Sequence, residues 1–174
     1  MIKKIASIEF RILLPVFLFI SSFIIEGCNQ SNQESILERN KQLVLTMNDE
    51  LWNKGNLDKM NNFFSSDFVL HFLPGGSEVR GIDSLKEHEK KHRVAFPDWL
   101  ENIRHIVAEG DLVIIHFVST GTNKGNWLGD PPTGKRIKIN EMSIFRIKNE
   151  KIVEQWLLPD LFSMQQQLTL TGKE

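Results

Sequence analysis

One cysteine, Cys28, and no tyrosine occur in 174 residues. A lone thiol excludes an internal disulfide and a thiolate zinc cage. Without tyrosine, any phenolic role in a site must pass to histidine, tryptophan or a carboxylate. A net charge of −1 leaves no surplus of either sign, so nucleic acid is not an expected partner. Long apolar runs are confined to the beginning, and no repeat or low-complexity stretch interrupts Ser35 to Thr169. What remains is an ordinary globular composition, with length for one domain and a single core.

The beginning reads as an export signal. Lys3 and Lys4 precede an apolar run, Ile12 to Ile25, broken by Pro15 and two serines. The run falls short of the roughly 20 residues of a comfortable span. Ile25-Glu26-Gly27-Cys28 resembles a bacterial lipoprotein cleavage box, with Cys28 as the lipid-modified residue. Residues 1–28 are therefore expected to be a signal peptide, 29–34 a polar tether and 35–171 the domain. The alternative is an uncleaved signal anchor. Either way the expectation is an exported domain held at a bacterial membrane by its N-terminal lipid or anchor.

Apolar residues from Leu37 to Leu51 recur at helical spacing, with Ser35 as candidate N-cap and Gly55 as stop. Asn56 is positioned to cap a second helix, Leu57 to Phe64. Asp67 to Leu73 alternates as a strand before Pro74-Gly75-Gly76 turns the chain. A helix over Asp83 to Ala95, closed by Pro97, leads into strands Leu100–Glu109, Asp111–Thr122, Arg136–Lys148 and Lys151–Leu158. Gly110-Asp111 and Asn149-Glu150 are tight hairpin turns, and the chain ends in a helix, Leu161 to Leu168. This order predicts an α+β fold, a cone-shaped, curved, antiparallel-rich sheet covered by N-terminal helices around an apolar interior.

Two motifs fail on context. His88-Glu89-Lys90-Lys91-His92 has zinc-peptidase spacing, but its charged neighbours read as a solvated helix face, and no third ligand follows. Gly129 to Lys135 spaces like a phosphate loop, yet Arg136 replaces the hydroxyl residue, and Pro131 and Pro132 remove amide donors. Neither a metal nor a cofactor is expected. The polar residues that interrupt apolar rows are more promising: Glu141 among Ile137, Ile139 and Phe145, His116 among Leu112, Ile114 and Val118, and His71 in its own strand. With Trp156 and Asp160 at the end of the last strand, they are candidates for a polar spot in an apolar pocket. Asp160 has two readings, an N-cap for the closing helix and a poorly solvated carboxylate with a raised pKa.

Four stretches taken together carry a resemblance: LWNKGNLDKMNNFFSSDFVLH, AFPDW, VAEGDLVIIHFVSTGTNKGNWLGDPPTGKRI and FRIKNEKIVEQWLLPD. They resemble the SnoaL-like polyketide cyclases, or ester cyclases, of the nuclear transport factor 2-like (cystatin-like α+β barrel) superfold. The similarity covers nearly all of Leu43 to Asp160, most specifically GT-x-x-G with PPTGK and IVEQW-x-x-x-D. It implies a cone, a homodimer and no cofactor. It also implies an intramolecular aldol-type ring closure, or a related enolisation, on a small hydrophobic carbonyl-containing molecule, with Asp160 as acid/base. Gln155 stands where the family usually has histidine. A lipoprotein that binds such a ligand without catalysis is the competing expectation.

Overall fold

The computed structural model describes residues 33–169. The expected signal peptide and Cys28 lie outside them. The chain divides into two compact units, Met1–Glu38 and Arg39–Glu174, and the second carries the sheet and the site. Helix α1 spans residues 33–47, so Ser35 lies inside it rather than at its N-cap. It continues as a π-helical segment, Asn48–Asn53, from which Asn48 and Asn53 both reach Glu101. The expected second helix is a 3₁₀ turn, Leu57–Lys59, followed by one α-turn, α2 (Met60–Phe63). Asn56 makes no cap bond, and its side chain donates instead to Glu50 Oε2 at 3.1 Å. Among the described residues no helix is long and apolar enough to cross a membrane.

The strands are β1 (Phe64–Phe72), β2 (Glu78–Arg80), β3 (Leu100–Glu109), β4 (Leu112–Thr122), β5 (Arg136–Lys148) and β6 (Lys151–Pro159). Helix α3 (Ile82–Ala95) joins β2 to β3, and α4 (Leu161–Thr169) follows β6. The expected four-strand meander is present, but the sheet has six strands in the order β2-β1-β6-β5-β4-β3. The addition is the β1–β2 hairpin, whose first strand pairs parallel to β6. The sheet is curved and unclosed. Asn149 and Glu150 both take positive φ, 51° and 59°, as the two central residues of a type I′ hairpin do.

Two irregularities decide which side chains face inward. Register shifts between Ile103 and His105 on β3, and opposite Arg146/Ile147 on β6, where Val153 has no partner. Each extra residue reverses the inside–outside alternation and bends its strand. Glu101, Ile103 and Ile106 therefore face inward while His105 faces out. On β6, Ile152, Gln155 and Leu157 face inward and Trp156 faces out.

The concave face holds two apolar clusters. The larger packs Phe64, Phe68, Leu70, Ile115, Phe117 and Phe145 against Met47, Leu51 and Leu85. Full burial of a side chain such as Phe68 or Phe145 contributes roughly 1.5–3 kcal/mol. The smaller gathers Ala95, Phe96, Trp99, Ile137, Ile139, Met164 and Leu168 under α4. Helix α3 packs on β1 and β2, α4 on β5 and the π segment on β3. Arg93 of α3 donates to the carbonyls of Leu51 and Trp52, tying that helix to the π segment.

Candidate functional site

A cavity opens at the seam between the two clusters. Its outer chamber, about 260 Å³, is walled by Phe72, Trp99, Trp127, Ile139, Leu157 and Met164, with His88 and His92 of α3 above. An inner recess of about 50 Å³ reaches Trp52, Ile115, Phe117 and Phe145. Glu89, Glu101, Glu141 and Leu157 line both. Three carboxyl groups thus stand where the chambers meet, in otherwise aromatic and aliphatic surroundings.

Glu141 sits mid-strand on β5, inward because the row Ile137, Ile139, Glu141, Ser143, Phe145 faces the core. It is only 6% exposed. Its Oε1, like Ser119 Oγ, is buried without a hydrogen-bond partner among the described residues. Burial pushes its pKa up from 4.5 to about 7, against the neighbouring Ser119 hydroxyl, which favours the ionised form, and with help from the charges of Glu89 and Asp160, since a low-dielectric site disfavours the carboxylate. Glu101 is held more firmly. Asn53 Oδ1 accepts from its amide at 2.7 Å and Asn53 Nδ2 donates to its carbonyl at 3.0 Å, as a neighbouring strand would. Asn48 Nδ2 donates to Glu101 Oε2, and Trp99 Nε1 donates to Oε1 at 3.2 Å. Loss of solvation, then repulsion from Glu141, raises its pKa to about 8 despite those donors.

The face of α3 that bears Leu85, Glu89 and His92 turns toward the sheet, with Glu87, Lys90 and Lys91 in solvent. The histidine motif that reads as a solvated face is therefore amphipathic. His92 meets Trp99 and Trp127 edge-on, with ring centroids 4.5 and 5.3 Å apart. Burial lowers its pKa to about 4, so it is neutral at physiological pH. Glu89 Oε1 lies 3.3 Å from His88 Nδ1. Among the described residues no group of three or more histidines, cysteines or acids is disposed to hold a metal ion.

Of the residues singled out from sequence, Glu141 alone lines the cavity. Asp160 caps α4: Ser163 donates its amide to Oδ1 at 3.0 Å and its hydroxyl to Oδ2 at 2.6 Å. Those two bonds lower its pKa, opposite to the raised value expected. Its chain neighbours Pro159 and Leu161 reach the outer chamber. His71 lies on the far side of the sheet, with Nδ1 2.9 Å from Glu78 Oε1 and Nε2 3.1 Å from Glu154 Oε1. Trp156 stacks on that imidazole at 5.3 Å, with the Arg146 guanidinium 5.4 Å from its ring. It faces out because of the irregularity at Val153. His116 is also on the outer face, Nδ1 to Nδ1 with His105 at 3.1 Å and Nε2 3.2 Å from Asn140 Oδ1. Both alternating rows of β4 are apolar, and it is the row of Val113, Ile115 and Phe117 that turns inward.

A family model for SnoaL-like polyketide cyclase matches residues 42–168. The chain belongs to the SnoaL-like polyketide cyclase family. A protein from Jannaschia sp. CCS1, described as a SnoaL-like polyketide cyclase, is 23% identical with a TM-score of 0.73, over 79% of this chain and 96% of that one. One from Acidithiobacillus ferrooxidans, described as a polyketide cyclase, is 30% identical with a TM-score of 0.67, over 75% and 94%. AclR from Streptomyces galilaeus, described as a hydroxylase, is 28% identical with a TM-score of 0.68, over 79% and 87%. Among curated proteins none is similar in sequence.

This SnoaL-like chain gives two of its motifs a physical meaning. In Gly121-Thr122-Asn123-Lys124-Gly125, a Cβ on Gly121 would lie 2.8 Å from Trp99 Cε3, and one on Gly125 would lie 2.5 Å from the Val94 carbonyl oxygen. Both glycines let the end of α3 and Trp99 approach the loop after β4. Asn123 then organises the PPTGK loop, accepting from the Thr133 amide at 2.7 Å and donating to the Gly125 carbonyl at 2.8 Å. Gln155 donates to Ser143 Oγ at 3.0 Å inside the recess. The functional residues that sequence reasoning missed are Glu101, Glu89, His92 and Trp99. Glu101 and Ile103 open an inward row that the bulge then obscures, and Leu85, Glu89 and His92 keep helical spacing.

Proposed function

We propose that the protein binds a small, largely apolar carbonyl compound in the cavity and enolises it, leading to an aldol-type ring closure. Glu141 is the acid/base group and Glu101 its partner. The observation that carries this reading is the buried carboxyl oxygen of Glu141, without a hydrogen-bond partner among the described residues, beside Glu101 in a recess walled by Trp52, Ile115, Phe117 and Phe145. A group with a pKa near 7 exchanges protons readily with a carbon acid flanked by carbonyls. In the forward step the Glu141 carboxylate takes the α-proton, and the Glu101 carboxyl donates its hydrogen toward the carbonyl oxygen that becomes enolic. As the enol carbon attacks a second carbonyl, the enol O–H proton returns to the Glu101 carboxylate and the first C=O re-forms, while the new alkoxide takes the proton from Glu141, so both groups return to their starting states. Aromatic walls keep water out and hold the chain of the substrate folded.

The resemblance implies Asp160 as the acid/base instead, and the two assignments separate by mutation. The measurement is deuterium uptake at C2 of ethyl benzoylacetate in D2O, followed by NMR. Glu141→Gln is expected to slow it about 10²- to 10⁴-fold, with affinity changed only a few-fold. Asp160→Asn, which preserves a cap residue, is expected to leave the rate within a few-fold. The reverse pattern transfers the role to Asp160. No uptake above buffer in the wild type leaves the non-catalytic ligand-binding lipoprotein, a reading favoured by the mutual satisfaction of Gln155 and Ser143 where a histidine relay would stand. The export reading rests on the N-terminal residues around Cys28, and the mass of the mature N-terminus tests it. A homodimer would use the outer sheet face, where Val107, Met142 and Leu158 are exposed.

A further inference from the structure

We infer that the ligand of this cavity carries a protonated amine on its apolar body, held among Glu89, Glu101 and Glu141. The inference deepens the proposed function and rests on the same cavity. Across both chambers the lining contains three carboxyl groups and neither lysine nor arginine. Of the cations on α3, Arg93 is engaged on the Leu51 and Trp52 carbonyls, Lys90 on Glu87 and Lys86 on Asp58, and Lys91 is exposed. A carboxylate ligand would therefore find no cation to pair with, and like charge on whichever of the three acids is ionised. A neutral ligand with no O–H or N–H donor would leave Glu141 Oε1 as unpaired as it is now. An ammonium group satisfies that oxygen and relieves the crowding of three acids.

The walls fit a cation as well. Trp99 and Trp127 flank the outer chamber and Trp52 the inner recess, and indole faces attract ammonium within about 6 Å. His92, neutral when buried, does not compete for the same acids. A bound cation also favours the ionised form of Glu141, so an amine-bearing substrate would switch on its own base. The three acids are not arranged as a metal site among the described residues, which leaves an organic cation as the fitting occupant.

The test compares 4-phenylbutylamine with 4-phenylbutan-2-one, of similar size, by titration calorimetry at pH 7 in two buffers of different ionisation enthalpy. The amine is expected to bind at least tenfold more tightly than the ketone, with buffer-dependent heat that reports protons released as the acids ionise. Glu141→Gln and Glu89→Gln, each verified as folded by circular dichroism, are expected to reduce that preference at least threefold. A ketone that binds as tightly as the amine, or amine binding insensitive to both substitutions, overturns the amine inference while leaving the carbonyl reading intact. Binding of neither compound overturns both.

Discussion

Glu101 and Glu141 make the stability of this protein depend on pH with a predictable sign. Their folded pKa values are raised, so the native state holds more protons than the unfolded chain, and stability falls as pH rises toward 8. His92 works in the opposite sense: its depressed pKa costs stability as pH falls from 6.5 toward about 4. Between pH 6.5 and 8 the glutamates act almost alone. Melting temperature is therefore expected to drop across that window, by an amount corresponding to about 1 kcal/mol from Glu141, most of whose loss comes below pH 6.5, and about 2 kcal/mol from Glu101. Thermal melts of Glu141→Gln are expected to be flatter there, and a wild-type profile that rises with pH would contradict the burial of these acids. Glu141 was legible in the sequence because it breaks a strictly alternating apolar row. Asp160 showed the limit of that kind of reading, since a carboxylate beside apolar residues still finds solvent and donors when a helix begins at the next position.

Among the elements, the bounds of the four meander strands were legible nearly to the residue, because apolar alternation and turn glycines are local signals, whereas β1 begins at Phe64, three residues before the expected Asp67. Facing was not, wherever a single unpaired residue changed the parity. One such residue at Val153 sends Trp156 outward, and one near Arg104 sends His105 outward while Glu101 points in. Strand β2, three residues after Gly-Gly, is too short to carry a pattern. The glycines after β4 allow a sharper comparison. Gly125→Ala sets a methyl group against main-chain atoms of Val94 and Ala95, anchored by the Lys124 and Gly125 amides on the Ala95 carbonyl. It is expected to cost roughly 1–3 kcal/mol, lowering the melting temperature by several degrees. Gly121→Ala presses on the side chains of Trp99 and Phe96 instead, so it should weaken ligand binding by more than it lowers the melting temperature. Calorimetric titration beside thermal melts of the two variants checks the contrast.

For the whole molecule, the meander and its covering helices were legible, but the parallel contact of β1 with β6 was not, because pairing across some ninety residues leaves no local trace. The outer sheet face is where a second copy is proposed to pack. Leu158, Met142, His116 and His105 lie opposite one another across four strands, an apolar row that ends in two imidazoles. Met142→Lys is expected to shift light-scattering mass from dimer to monomer without loss of fold, and unchanged mass would place the contact elsewhere. The strand order has a last consequence. Because β6 lies between β1 and β5, the middle of the sheet is supplied by the final strand to leave the ribosome. A nascent chain that stops before Lys151 holds two unjoined pieces, and no enclosed chamber. Folding must then wait on long-range closure, which is slow, and the apolar trough stays open to solvent until β6 is made.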